Sequence, residues 1–350
     1  MTTAIDIAGR LVGPGQPCFI IAEAGVNHNG SLDLACQLVD VAVQAGADAV
    51  KFQTFKAERL VTPDAPKADY QLEATAADES QYSMLRRLEL GPEAHRDLID
   101  YCASRGILFM STPFDHESAD LLAGLGIAVF KIPSGEITNL PFLAHVARCG
   151  QPMIVSTGMS RLSEVDVAVR TIQEAGNPSV VLLHCVSNYP ADPADANLRA
   201  MRTMGMAFGV PVGYSDHTPG IEVTLAAVAL GACVIEKHFT LSHNLTGPDH
   251  KASLEPDELG ALVRGVRIVE AALGHGRKEP AISEANTAAV ARKSLVAARD
   301  IPAGTVLTQE LIAIKRPGTG LAPAARPYLL GRTARVFIPC GTLLTLEMLA

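Results

Sequence analysis

No stretch of this 350-residue chain approaches the ~18 consecutive apolar residues of a membrane span, although apolar residues make up 48% of it, enough for a large core. The first ten residues carry acid and base but no apolar signal core, so no secretory peptide is expected. Cys-x-x-Cys pairs are absent. The seven cysteines are odd in number and scattered, with Cys18, Cys185 and Cys233 inside apolar runs. They read as buried thiols in a reducing cytoplasm, not as a disulfide framework. An excess of positive charge is lacking as well. The formal net charge of −8 argues against a nucleic-acid or anionic-membrane surface, and any anionic substrate must be held by a local cationic pocket. No His-x-His pair occurs, which removes the ligand pair that a metal-dependent barrel hydrolase carries on an early strand.

What is present is a rhythm. Eight short apolar runs, with many β-branched residues and few charges, fall at 18–24, 49–53, 108–112, 129–134, 153–157, 180–186, 212–215 and 233–239. Amphipathic segments at 31–45, 92–105, 116–124, 140–148, 162–175, 220–230 and 256–273 separate them. Strand–helix alternation repeated eight times predicts a parallel sheet closed into a (β/α)8 barrel, with polar groups gathered where the strands end. The connection 54–90 is long for a compact domain and reads as a lid or a substrate-facing insertion. The barrel is expected over 1–276 and a linker over 277–289. A small domain of very short strands (294–297, 306–307, 312–315, 335–337, 343–344) follows over 290–350, with an Ile-Pro-x-Gly turn at 301 and again at 338.

The run ends carry the chemistry. His217 and His238 close the last two runs, 21 positions apart. They are a divalent-metal pair or two hydrogen-bonded structural histidines. Lys51 and Lys131 lie in apolar strands, where an ammonium is costly without an anion. That anion is a phosphate or carboxylate ligand, or else Glu23 or Glu136 in a salt bridge. Thr112, Ser134, Ser156, Ser187 and Ser215 form a ring of hydroxyls at matching heights, each able to donate to phosphate oxygens. Glu23 and Glu136 are candidates for proton transfer or counter-ions of the lysines. Asp249, in a Gly-Pro-Asp-His turn, could reach a sugar hydroxyl or serve only the turn. Arg316, before Pro317-Gly318, matters only if delivered to a barrel, its own or a neighbour's.

In order, the motifs E-A-G-V-N-H-N-G, K-F-Q-T, S-T-P-F-D, K-I-P-S-G-E, S-T-G-M, H-C-V-S-N-Y-P, G-Y-S-D-H and E-K-H-F-T resemble the sialic acid synthase family. The tail, with its Ile-Pro-x-Gly turns and R-P-G-T-G, resembles the antifreeze-like (SAF) domain that these enzymes carry. The resemblance spans essentially the whole chain. It implies a divalent metal, Mn2+ with Mg2+ or Co2+ as alternatives, on His217 and His238. It implies phosphoenolpyruvate held by Lys51, Thr112, Lys131, Ser134, Ser156, Ser187 and Ser215, and an N-acetylmannosamine-type sugar near Gln53, Tyr189, Asp249 and Glu136. Glu23 matches the family glutamate close to the reacting centre. A domain-swapped homodimer is implied, with Arg316 of one chain on the partner's sugar, in a cytoplasmic enzyme. The first reading is an N-acetylneuraminate synthase, which joins phosphoenolpyruvate, N-acetylmannosamine and water with C–O cleavage. The alternative is a legionaminate-type synthase using 2,4-diacetamido-2,4,6-trideoxymannose, because Ser187 stands where some sialic acid synthases have asparagine. An ice-binding role for the tail is excluded by Arg316, Arg326, Arg332 and Arg335, since such a surface should be flat and uncharged.

Overall fold

The computed structural model describes residues 3–68, 71–72 and 79–350. The chain divides into two compact units, Met1–Gly274 and His275–Ala350. The first opens with an antiparallel hairpin, β1 (Ile5–Ile7) and β2 (Arg10–Val12). Eight strands follow: β3 (Phe19–Gly25), β4 (Ala49–Thr54), β5 (Leu108–Pro113), β6 (Phe130–Ile132), β7 (Met153–Ser156), β8 (Val180–Cys185), β9 (Val212–Asp216) and β10 (Val234–His238). They pair in parallel and in sequence order, and β10 closes on β3 to complete the (β/α)8 barrel. Among the described residues no helix is long and apolar enough to cross a membrane.

Successive residues of a strand point to opposite faces, and here the two faces have different chemistry. Outward residues such as Ile20, Val50, Phe52, Phe130, Val155 and Leu182 pack on Leu38, Leu98, Leu143 and Leu262 of the surrounding helices. The helix Leu32–Ala45 shows the local logic. Ser31 Oγ accepts from Leu34 N at 3.3 Å to start it, and Gly46, at φ 80°, ends it in the left-handed region. Inward residues are layered along the barrel axis. Phe19, Ile21, Ala49, Met110, Val129, Ile154, Val181, Leu183 and Val234 make an apolar layer at the strand N-termini. The hairpin belongs to that layer, because Ile7 and Val12 are fully buried in it. The sequence rhythm does not announce this hairpin, whose strands are only three residues long.

Among its described residues, the connection after β4 holds the short helices Ala57–Leu60 and Gln81–Arg87. Met84 and Leu88 pack on Val26 and Phe55 in a small apolar cluster. Glu89 ties the segment's two ends together, accepting from Lys56 Nζ at 2.7 Å and Ala57 N at 2.8 Å. Part of the predicted lid, residues 69–70 and 73–78, lies outside the described residues.

In the second unit, β11 (Ser294–Ala297) pairs antiparallel with β12 (Ile312–Lys315). The expected strands at 306–307 and 343–344 are present only as single bridges, Val306 to Thr333 and Val296 to Leu343, and 335–337 forms a bend. Chains this short in turn-rich sequence cannot extend a ladder beyond one pair. The two Ile-Pro-x-Gly turns pair with each other: Ile301 and Ile338 exchange both backbone hydrogen bonds at 2.9 Å. The predicted linker is not bare. Ile282–Glu284 forms a 3-10 turn, and the alanine-rich Ala285–Ala291 forms a helix whose entry is set by Glu284 accepting from Ala281 N at 2.8 Å.

The hairpin's role in sealing the inner layer is testable. Ile7→Ala should cost about 2–5 kcal/mol, read as a lower urea midpoint, with kcat unchanged at low temperature. An unchanged midpoint would remove the hairpin from the core.

Candidate active site

Above the apolar layer, the next inward residues are Glu23, Lys51, Lys131 and Glu236, and above these come Gln53, Thr112, Ser156, Ser215, His217 and His238. They line a cavity of about 440 Å3 at the strand C-termini, with Ser134, Ser187, Tyr189 and Asp249 from the loops beyond. This parity follows from the two-residue period. Ala49, Lys51 and Gln53 face inward, while Val50 and Phe52 face the helices.

The lysine layer is a closed electrostatic set. Lys51 Nζ lies 2.7 Å from Glu23 Oε2 and 3.7 Å from Glu236 Oε2, and Lys131 Nζ lies 3.5 Å from Glu236 Oε1. Lys51 donates to Thr112 Oγ1 at 3.0 Å, and Lys131 donates to Ser156 Oγ at 2.7 Å. Because these two hydroxyl oxygens accept from ammoniums, their own protons are left to donate elsewhere. Ser134 Oγ likewise accepts from Gly158 N at 2.9 Å, while Ser215 donates to Glu236 Oε1 at 2.9 Å. A side chain at Gly158 would collide with Ser134 Oγ, Cys185 Sγ and Ser187 Oγ. Only glycine leaves room for that hydroxyl cluster.

The two carboxyls respond oppositely to the same surroundings. Burial pushes Glu23 up to about 7, more than Lys51 can pull it down. Burial also opposes the charge on Glu236, but Lys131 and Lys51 outweigh it and hold that group down at about 2. Burial drives Lys131 below its ordinary value; the same burial on Lys51 is overcome by Glu23 and Glu236, which raise it. Burial lifts Asp249 to about 6.

His217 and His238 bring their rings to 5.6 Å between centroids. Burial holds both neutral, His238 well below its ordinary value. His217 Nδ1 donates to Val186 O at 2.6 Å, which leaves its Nε2 lone pair to act as a ligand. His238 Nδ1 is buried without a hydrogen-bond partner, and Asp249 Oδ2 stands 4.0 Å away. Two neutral imidazoles, one with an orphaned nitrogen, fit a divalent metal. Among the described residues no third His, Cys, Asp or Glu completes a cluster with them. Such a metal would keep positions open for substrate or water, as catalytic sites do. The Tyr189 ring lies tilted by 42° at 4.2 Å from the His217 ring and meets the His238 ring edge-on at 5.6 Å.

The NeuB family model matches residues 38–278, and the SAF domain model matches 292–350. The chain belongs to the NeuB family. The N,N'-diacetyllegionaminic acid synthase of Campylobacter jejuni is 50% identical, covering 90% of this chain and 95% of that one. The enzyme of the same name from Legionella pneumophila is 49% identical, covering 96% and 95%. The crystal structure of N-acetylneuraminic acid (sialic acid) synthetase from Leptospira borgpetersenii, in complex with citrate, matches with a TM-score of 0.72 and 37% identity, covering 82% of this chain and 95% of that one. The chain is thus an enzyme of the nonulosonic acid synthase class, as its motifs imply.

Within this NeuB-family barrel, one sequence candidate, Glu136, is not among the residues that line the cavity. β6 stops at Ile132 because Pro133 has no N–H to extend the ladder. The chain then turns through Ser134–Glu136, and Glu136 Oε2 accepts from Asn139 Nδ2 at 2.6 Å instead of lining the site. Arg316 lies in the second unit, exposed, just past β12. Asp216 and Lys237, which flank the histidines in sequence, have outward parity. They pair with each other at 2.8 Å, and Asp216 also accepts from Thr218 and Thr224. Glu236 is the residue that sequence reasoning misses. Its signal is parity: it sits two positions from inward Val234 and two from inward His238.

Glu23 gives a pH test. Its raised value means that ionisation opposes folding, so the stability present below pH 4.5 is lost as pH climbs towards about 7. Metal-free Glu23→Gln should therefore lose less thermal stability than wild type between about pH 5 and pH 8. Parallel slopes would contradict the buried, proton-exchanging carboxyl.

Proposed function

We propose that the chain condenses phosphoenolpyruvate with open-chain 2,4-diacetamido-2,4,6-trideoxymannose and water, giving a legionaminate-type nonulosonic acid and phosphate with C–O cleavage. One observation carries the choice of sugar: 50% identity over 90% of the chain to an N,N'-diacetyllegionaminic acid synthase, against 37% to a sialic acid synthetase. It favours the second of the two sugars expected from the sequence over N-acetylmannosamine.

In this reading Lys51 and Lys131 balance the carboxylate and phosphate charge. Thr112 and Ser156 donate the protons that their present bonds leave over, and Ser134, Ser187 and Ser215 complete the ring. Gln53, Tyr189 and Asp249 border the sugar. When bound by His217 and His238, a divalent metal (Mn2+, with Mg2+ or Co2+ as alternatives) supplies Lewis-acid polarisation of the sugar's aldehyde oxygen. Glu23, poised near neutral pH, guides the water that adds at C2 and exchanges its proton. Holding both substrates in one walled cavity contributes up to roughly 7–11 kcal/mol in ideal cases. Arg316 of one chain reaches the sugar in the barrel of a homodimer partner. The seven free cysteines suit a reducing cytoplasm.

The test is phosphate release from phosphoenolpyruvate with Mn2+ and each sugar in parallel. Faster release with the diacetamido sugar is expected; preference for N-acetylmannosamine overturns the choice. His217→Ala and His238→Ala should abolish metal-dependent release, and full activity of the chelated wild type would sink the metal assignment. Arg316→Ala should raise the sugar KM roughly 10- to 100-fold with phosphoenolpyruvate KM unchanged; an unmoved sugar KM takes Arg316 out of the site.

A further inference from the structure

The lysine layer and the histidines account for only part of the cavity wall. Leu60, Val61, Met84, Leu85, Leu88 and Phe114 line an apolar part of it. All but Phe114 come from the connection after β4, and β4 stands four strands around the barrel from β8, which leads to Ser187. This wall has no part in the chemistry assigned above. It is also preformed, since Met84 and Leu88 are buried against Val26 and Phe55, and Glu89 clamps the segment's base.

One polar feature interrupts it. Gln81, the first residue of the helix Gln81–Arg87, lines the cavity beside Gln71. Gln81 Nε2 donates to Gln71 Oε1 at 3.2 Å, and the same oxygen accepts from Ala68 N at 3.1 Å. This fixes the orientation of the Gln81 amide and leaves its carbonyl oxygen to accept.

A sugar hydroxyl laid on Leu60, Met84 and Leu85 would lose its water and find no partner. A methyl group there would gain contact, and an amide N–H would find the Gln81 carbonyl. The geometry points to this wall as the element that selects the far end of the sugar: Gln81 accepts from the C4 acetamido N–H, and Leu60, Met84 and Leu85 receive the C6 methyl. The inference rests on the proposed diacetamido substrate and assigns its selection to named residues.

The experiment measures kcat/KM for 2,4-diacetamido-2,4,6-trideoxymannose and for N-acetylmannosamine in the Mn2+-loaded full chain. Gln81→Leu, which removes the acceptor at similar volume, should lower kcat/KM for the diacetamido sugar roughly 10- to 100-fold, leaving N-acetylmannosamine within about twofold. Gln81→Glu keeps an acceptor but loses the donor to Gln71, so it should lower the preference less than Gln81→Leu does. Leu85→Ser should shift the ratio about tenfold towards N-acetylmannosamine. The phosphoenolpyruvate KM should stay at the wild-type value in all three, which marks an intact fold. A parallel loss on both sugars, or an unmoved ratio, overturns the wall as selector while the proposed function stands. A wild type that prefers N-acetylmannosamine overturns both.

Discussion

The site depends on one buried carboxylate. Lys51 and Lys131 are sealed inside a barrel whose neighbouring layer is hydrocarbon, and neither could stay charged there alone. Glu236 stands between them and answers both, with Ser215 filling one of its lone pairs. Removing one member of such a set leaves a bare charge indoors, which is far more damaging than never having built it. The set therefore keeps two cations aimed at one point before any ligand arrives. Glu23, in contact with the same Lys51, is displaced in the other direction. Two carboxyls in one layer are thus displaced in opposite directions, one by burial and the other by the two lysines.

Much of the architecture was legible in the run lengths. Five of the eight barrel strands begin at the first residue of the apolar run that predicts them, and β3, β6 and β10 begin one residue later. The strand ends were legible for the same reason that they matter: polar residues appear where the barrel opens. Glu136 falls outside the cavity lining because reading along β6 assumes that the strand continues, and Pro133 ends it first. Glu236 was passed over because a residue between hydrophobic Ile235 and Lys237 looks like a flank of His238, until the alternation of faces is counted. The wall formed by Gln81 and Leu85 carries no local signal at all. Its residues gain meaning only when a short helix is laid over the barrel mouth by packing on Val26 and Phe55.

The small second unit shows how a sequence repeat becomes structure. Neither Ile-Pro-x-Gly turn can form a strand of its own, because proline cannot donate and glycine at φ 85° or 80° reverses the chain. Each supplies the other's missing partner, so the two copies stabilise each other across the unit, which buries Leu295, Leu307, Leu329 and Leu344 around them. A fold with so little core relies on such reciprocal pairs.

The sealed end of the barrel has a steric meaning. With Ile7 and Val12 filling the strand N-termini, the cavity is a well with one mouth, and its cationic layer lies beneath the histidines and the glutamine-bearing wall. Ligands in such a well would lie one above the other, with one held by the lysines covered by one held at the histidines and the wall.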